Sequence, residues 1–426
     1  MRALSVALVF AVLALPATAA PRKASKEQTL REATAKVWVN YARWLKLQGQ
    51  KEEALTVLAR AGAVSVLPEV ERLLPEIEAL EGGAPSPSGI ERRREKAFKD
   101  AARLYDKLAA LKPPPGEEHR FEMYRWQAVW LDPSKSRVGK MLAAIKKAAG
   151  NRKNAAEACR MLVRLRDADP KGAAAGRYDA LEIELAKKDV ALIKSPDHEL
   201  VGYVSLPKSW NRKSKLHVLV TVDGAGSNFL GSARRFAQAR GSRNFIVLAP
   251  CTLANTNALG PEKYPWYSSE DLEKWSGNRI RFDLEGLNGL LTVLRKRYGA
   301  KEKIGITGFS GGGNLTYAMT ALHPDRILFS APACANFAGM GYRDAQPVED
   351  GGPPIQILTG ANDPHRDYTH GNKNSPGIEP QTDAAMDALK RLGFKNVRRT
   401  MLPGVKHSNC SKQVWDFCDE VLTQRR

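Results

Sequence analysis

The stretch of this chain with the clearest chemical content is Gly308-Phe309-Ser310-Gly311-Gly312-Gly313. It follows the β-like run at 303–307 and leads into a helix-compatible segment. Glycines two places either side of a serine, between a strand and a helix, describe a sharp turn that holds the hydroxyl clear of the fold. A serine hydroxyl is a weak nucleophile until a base takes its proton. Small flanking residues let neighbouring backbone come close. The chemistry such a serine supports is acyl transfer. A phosphate-binding loop is a poor alternative, because no Lys-Ser/Thr pair follows Gly313.

Acyl transfer needs a base for the Ser310 proton and a carboxylate that fixes the base's tautomer. On a strand-turn-helix elbow these follow in the order Ser, Asp, His. The strand-like run 355–359 enters Gly360-Ala361-Asn362-Asp363, which puts a carboxylate at a strand's carboxyl end. One helix and one strand later, Leu402-Pro403-Gly404-Val405-Lys406-His407 puts a histidine on the loop before the last helix. Asp367 competes with Asp363 for the acid. His365 and His370 compete with His407 for the base, but they follow the acid turn directly and read as surface or pocket residues.

The elements that must carry these residues alternate between strand and helix from about residue 196. Strands read at 200–206, 217–222, 245–249, 303–307, 327–330, 354–359 and 397–402. Helices read at 232–240, 284–298 with Asp283 as its cap, 311–322, 382–392 and 412–423. Near-continuous apolar strands alternating with helices imply an α/β fold, a mostly parallel sheet covered on both faces. Ligands in such folds sit outside the strands' carboxyl ends. The polar loop 251–281 lies there and carries Tyr264, Trp266, Tyr267 and Trp275. These rings suit either stacking on a substrate, with Trp266 and Tyr267 as the candidate binding pair, or packing of the loop onto the domain.

With these pieces in place, residues from about 197 to the end resemble an α/β-hydrolase of the secreted esterase and depolymerase type. That branch includes feruloyl and acetylxylan esterases, polyhydroxybutyrate depolymerases and dienelactone-hydrolase-like proteins. The matching pieces are Gly308 to Gly312, the turn from Gly360 to Asp363, and Pro403-Gly404 leading to His407. The resemblance implies Ser310 as nucleophile, His407 as base and later acid, and Asp363 as orienting carboxylate. It implies an oxyanion hole from the Gly311 amide and from Gly224 or Ala225, in the loop after the third strand. Asp223 departs from the pattern, since many members have histidine before that glycine. No cofactor or metal is implied. A serine peptidase of the prolyl-oligopeptidase kind shares elbow and order, although no propeller repeat precedes the domain here.

Residues 26–192 read as an all-α domain, rich in Ala, Leu, Lys, Arg and Glu. Trp38, Tyr41, Ala42, Leu45, Gly49, Ala54, Leu58 and Ala61 fall at tetratricopeptide-like spacing. Ala158, Leu162, Leu165 and Pro170 match it more weakly, and Ala101, Tyr105, Leu108 and Pro113 form half a repeat. An ordinary helical bundle gives the same pattern. Trp38 and Trp44 read as core. Such a domain could contact a protein or an envelope polymer, and a non-catalytic binding protein built on it is a further alternative. The predicted organisation is a signal segment at 1–20, helical residues 26–192 and a catalytic domain at 196–426.

The chain has 426 residues and a formal net charge of +20. Arg2, the apolar run 4–15 and the small residues before position 20 predict a cleavable export signal and a secreted or periplasmic protein. The positive charge is spread over both halves. It suits solubility or loose attraction to anionic polymers, and no motif points to nucleic acid. The five cysteines can meet an oxidising compartment. Cys410 and Cys418 lie close enough in sequence to pair, and Cys159, Cys251 and Cys334 read as buried thiols. The substrate expected is an ester, polymeric or carbohydrate-linked.

Overall fold

The computed structural model describes residues 25–82, 87–151, 154–256, 258–260, 262–338, 344–367 and 376–424. The expected signal segment and His370 lie outside the described residues. No described helix is long and apolar enough to cross a membrane. The chain divides into two compact units. One holds the described residues up to Ala144 with Leu165–Gly172, and the other holds Ile145–Arg164 with Ala173 onward.

The first unit is built on helices α1 (Lys26–Leu47), α2 (Lys51–Val64), α3 (Pro68–Glu78), α4 (Ile90–Ala109) and α5 (Glu118–Leu131), while α6 (Lys135–Ala149) and α7 (Ala155–Ala168) each cross the division between the units. The Ser25 hydroxyl accepts from the Gln28 amide and starts α1. Gly49, at φ 69°, makes the short turn into α2. Trp38, Tyr41, Ala42, Leu45, Ala54, Leu58 and Ala61 are buried together with Ala101, Tyr105 and Leu108. The spacing seen in the sequence is therefore the spacing of a core. Trp44 is partly buried at its margin.

α8 (Pro170–Ala174) crosses the same division, and the second unit continues with α9 (Asp179–Lys188). Its sheet has eight strands: β1 (Ala191–Lys194), β2 (Val201–Ser205), β3 (Leu216–Val222), β4 (Phe245–Pro250), β5 (Ala300–Gly308), β6 (Ile327–Ser330), β7 (Ile355–Gly360) and β8 (Val397–Leu402). They lie in the order β1-β2-β4-β3-β5-β6-β7-β8. β1 and β2 pair antiparallel at one edge, β2 pairs antiparallel with β4, and every later pairing is parallel. Helices α10 (Phe229–Ala239), α11 (Ser269–Trp275), α12 (Arg279–Tyr298), α13 (Gly313–Leu322), α14 (Ile378–Arg391) and α15 (Ser411–Gln424) occupy the connections. Interior strands such as β4 are buried along their whole length. A strand covered on both faces therefore has no polar alternation to show. The observed class is α/β with a mostly parallel sheet.

Three local expectations change. β1 lies where the sequence suggested only a boundary, since four residues directly after a helix are too few to show a period. The helix read from 284 begins five residues earlier, and Asp283 is no cap. It sits fully buried on the inner face of α12 and accepts the Leu253 and Ala254 amides, each at 2.8 Å. Burial drives its carboxyl up to about 7, against the pull of those two amides. Cys410 and Cys418 do not pair, and all five cysteines are free thiols. Cys418 faces the core from α15.

Asp283 ties the loop after β4 to α12, so Asp283→Ala leaves two buried amides without acceptors. Urea denaturation of this variant is expected to show a loss of about 3 kcal/mol. A change within about 0.5 kcal/mol, the scale of an ordinary surface substitution, would contradict this role.

Candidate active site

β3 and β5 end side by side, with Val222 in register with Gly308. The Phe309 amide donates to the Val222 carbonyl at 2.9 Å. Just beyond, Ser310 is held at φ 50°, a left-handed conformation that costs a non-glycine residue energy. Its amide donates to the Cys334 carbonyl at 3.2 Å, and its carbonyl accepts the Asn336 amide at 2.8 Å. The loop after β6 thus clasps the turn from both sides. Two glycines are required by space. A Cβ on Gly311 would lie 1.9 Å from the Asn255 carbonyl oxygen, and one on Gly312 would lie 2.4 Å from the Val222 and 2.6 Å from the Asp223 carbonyl oxygen. Loops after β3, β4 and β6 therefore meet around one serine.

The predicted acid and base come together. Asp363 follows β7, and its Oδ2 lies 2.8 Å from His407 Nδ1. A carboxylate only accepts, so Nδ1 carries the proton and Nε2 is left as the base. The other carboxylate oxygen accepts the His365 amide at 2.8 Å. The Phe309 ring packs 4.6 Å from the imidazole and the His365 ring 4.9 Å from it, between centroids. His365 is thus a neighbour of the base. Ser310 Oγ makes its hydrogen bond to Asn336 Oδ1 at 3.4 Å, not to His407. For proton transfer the hydroxyl must exchange one partner for the other, a tightening common when a substrate arrives.

A buried thiol also touches the base. Sulfur, oxygen and nitrogen atoms of Cys334, Asp363 and His407 lie within 4.8 Å of one another. That spacing would also suit a soft divalent ion, but here His407 is the shared partner of Asp363 and Cys334. Cys334 hydrogen-bonds the Cys410 thiol, which pulls its own pKa down against burial and pushes that of Cys410 up. For His407, burial favours the neutral ring, but hydrogen bonds to Cys334 and Asp363 outweigh it and raise the pKa above the ordinary histidine value. Cys334 and Cys410 both sit at left-handed φ; the sequence suggested a buried thiol and a disulfide partner, and nothing in it places either beside His407.

The expected oxyanion donors are distinguishable. The Gly224 amide is turned to the Asp223 carboxylate, which also accepts Asn228 N at 2.7 Å. Asp223 is thereby tied into its own loop, and burial raises its pKa. The amides of Ala225 and Gly311 donate to no group among the described residues, which favours Ala225 over Gly224 as the second donor. Tyr267 is buried and its hydroxyl donates to the Cys251 carbonyl at 2.6 Å. Trp266 packs edge-on against Tyr203 and Phe229. Tyr267 thus fastens the loop to the domain and has no free face for a substrate, whereas Trp266 is only partly buried. Tyr264 reaches the site network instead, through Asn255 and Ser227.

Beside the turn lies a cavity of about 800 Å³, lined in part by Thr256, Arg279, Asn314, Tyr317 and Phe337. The Tyr317 hydroxyl is buried there without a partner. Asn255 and Asn336 are the residues that sequence reasoning missed. Each is a lone polar residue in a loop, and only the tertiary fold brings it to the turn.

No family model matches the chain, and no curated protein does. Solved structures with similar folds include poly(aspartic acid) hydrolase-1 from Sphingomonas sp. KT-1, at 18% identity and TM-score 0.40 over 55% of this chain and 98% of that one. An S-formylglutathione hydrolase from Staphylococcus aureus aligns at 13% identity and TM-score 0.38, over 55% and 95%. An acylaminoacyl peptidase aligns at 18% and 0.37, over 54% of this chain and 40% of its own. At these scores the likeness carries no argument, and the site's geometry must stand alone.

A base must be neutral to accept a proton, so a raised His407 pKa moves the acid limb of kcat/KM upward. Cys334→Ala removes one of the two contacts that raise it. The expected result in a pH–rate profile is a limb shifted to lower pH, with the plateau rate retained. An unmoved limb would show that Cys334 does not influence the base.

Proposed function

We propose that this chain is an exported serine hydrolase of the α/β-hydrolase type that cleaves carboxylic esters. The observation that carries this reading is the Asp363–His407 pair, bonded at 2.8 Å beside a serine held at φ 50°. His407 Nε2 takes the Ser310 proton as Oγ attacks the ester carbonyl. The Ala225 and Gly311 amides hold the resulting oxyanion. His407 then returns its proton to the departing alcohol oxygen, leaving an acyl group on Ser310. Water, deprotonated by the same nitrogen, releases the acid and restores the serine. Asp363 holds the imidazole in the required tautomer throughout.

In this reading residues 1–20 form the export signal, and the cavity beside the turn takes one side of the ester. The substrate is polymeric or carbohydrate-linked. The helical unit and the positive charge keep the protein near anionic polymers.

The test is a panel of p-nitrophenyl acetate, p-nitrophenyl butyrate and aminoacyl anilides on the mature protein, with Ser310→Ala as control. Ester turnover and fluorophosphonate labelling are expected in the wild type, and both are expected to vanish in the variant. A drop of at least about 10³-fold is the scale for losing a triad member. Full turnover in Ser310→Ala would sink the assignment, and cleavage of anilides in preference to esters would redirect it to a peptidase.

A further inference from the structure

If the site handles esters as proposed, one of its oxyanion donors must be aimed by something outside the triad. The Ala225 amide shares a planar trans peptide with the Gly224 carbonyl. Holding the carbonyl therefore fixes where the N–H points, because the two bonds lie in one plane and point in opposite directions. The Gly224 oxygen is held at 2.7 Å by Asn255 Nδ2, and the Ser227 amide supports it at 2.9 Å.

We propose that Asn255 is a positioning residue for the oxyanion hole, aiming the Ala225 N–H by gripping the Gly224 carbonyl. The orientation of its own amide is set by its neighbours. Oδ1 accepts the Tyr264 hydroxyl at 3.0 Å, so the NH2 group faces Gly224, with Ser227 Oγ at 3.3 Å as a second acceptor. Asn255 is buried, and its main-chain carbonyl packs against the Gly311 Cα. One residue thus braces both oxyanion donors, the first through its side chain and the second through its backbone. The loop that carries it is pinned two and one residues upstream by the Asp283 carboxylate. An amide fixed before the charge develops needs no reorganisation when it does, which is why such donors are effective.

The deciding variant is Asn255→Asp, which keeps the shape of the side chain and replaces its donor with an acceptor. On p-nitrophenyl butyrate it is expected to lower kcat roughly 100-fold, the scale for losing one oxyanion donor, with KM changed less than about threefold. Affinity for an aryl trifluoromethyl ketone, which binds as an oxyanion adduct, should fall by the same factor as kcat/KM. A merely structural role would not couple those two quantities. Tyr264→Phe, which removes only the hydroxyl that orients the amide, should show a smaller loss of the same kind, and it decides the matter if Asn255→Asp does not fold. Wild-type kcat in a folded Asn255→Asp, or in Tyr264→Phe when that variant decides, would overturn the proposal. So would a loss of kcat without loss of ketone affinity. Failure of the ester reading itself would be seen separately, as no turnover and no fluorophosphonate labelling in the wild type.

Discussion

A turn with no room for side chains governs the second unit. Where β5 ends, four segments must come within contact of one another, and two of the meeting points exclude even a methyl group. Gly311 lies against the Asn255 carbonyl, and Gly312 lies against the Val222 and Asp223 carbonyls. Close-packed backbone of this kind holds a left-handed serine that would otherwise relax. The same contacts fix the loops after β3, β4 and β6 relative to the hydroxyl. Their cost is met by the parallel sheet beneath, whose strands β3, β4 and β5 are buried where they approach the turn.

The base is set by competing terms. Burial favours a neutral imidazole, whereas a carboxylate and a thiol in contact with it favour the protonated one. The contacts win, so the ring holds its proton more tightly than a free histidine does. A more basic ring is a better acceptor for a hydroxyl proton and a weaker donor of that proton afterwards. It also means that the environment of Cys334 and Cys410, behind the base, enters the pH dependence of any chemistry at Ser310. The serine itself rests on Asn336, so the acid–base pair is assembled before the nucleophile joins it.

Much of this was legible in the sequence, for a physical reason. The elbow and the acid turn each follow an apolar run, the histidine loop follows the edge strand β8, and strand ends are where such a sheet presents side chains to a ligand. Burial likewise explains why the helical spacing around Trp38 and Tyr41 reads as a core. What escaped were the residues whose role depends on a distant partner. Asp283 looks like a helix cap because aspartate often is one, yet its carboxylate turns inward to two loop amides. Trp266 and Tyr267 looked like a stacking surface because they sit at the strand ends, and only the buried contact of Tyr267 with Cys251 distinguishes that ring as an anchor. Asn255 carries no local pattern at all. β1 is four residues long and leaves no periodicity to detect.

The central claim is that an ester's acyl group passes through the oxygen of Ser310. Acid-quenching the wild-type protein within milliseconds of mixing with p-nitrophenyl butyrate, followed by peptide mass spectrometry, tests it directly. The account predicts a butyryl group on the peptide at Ser310 and nowhere else, formed as fast as the first p-nitrophenol is released. A butyryl group on Cys334 instead, or steady turnover with no adduct, would contradict it.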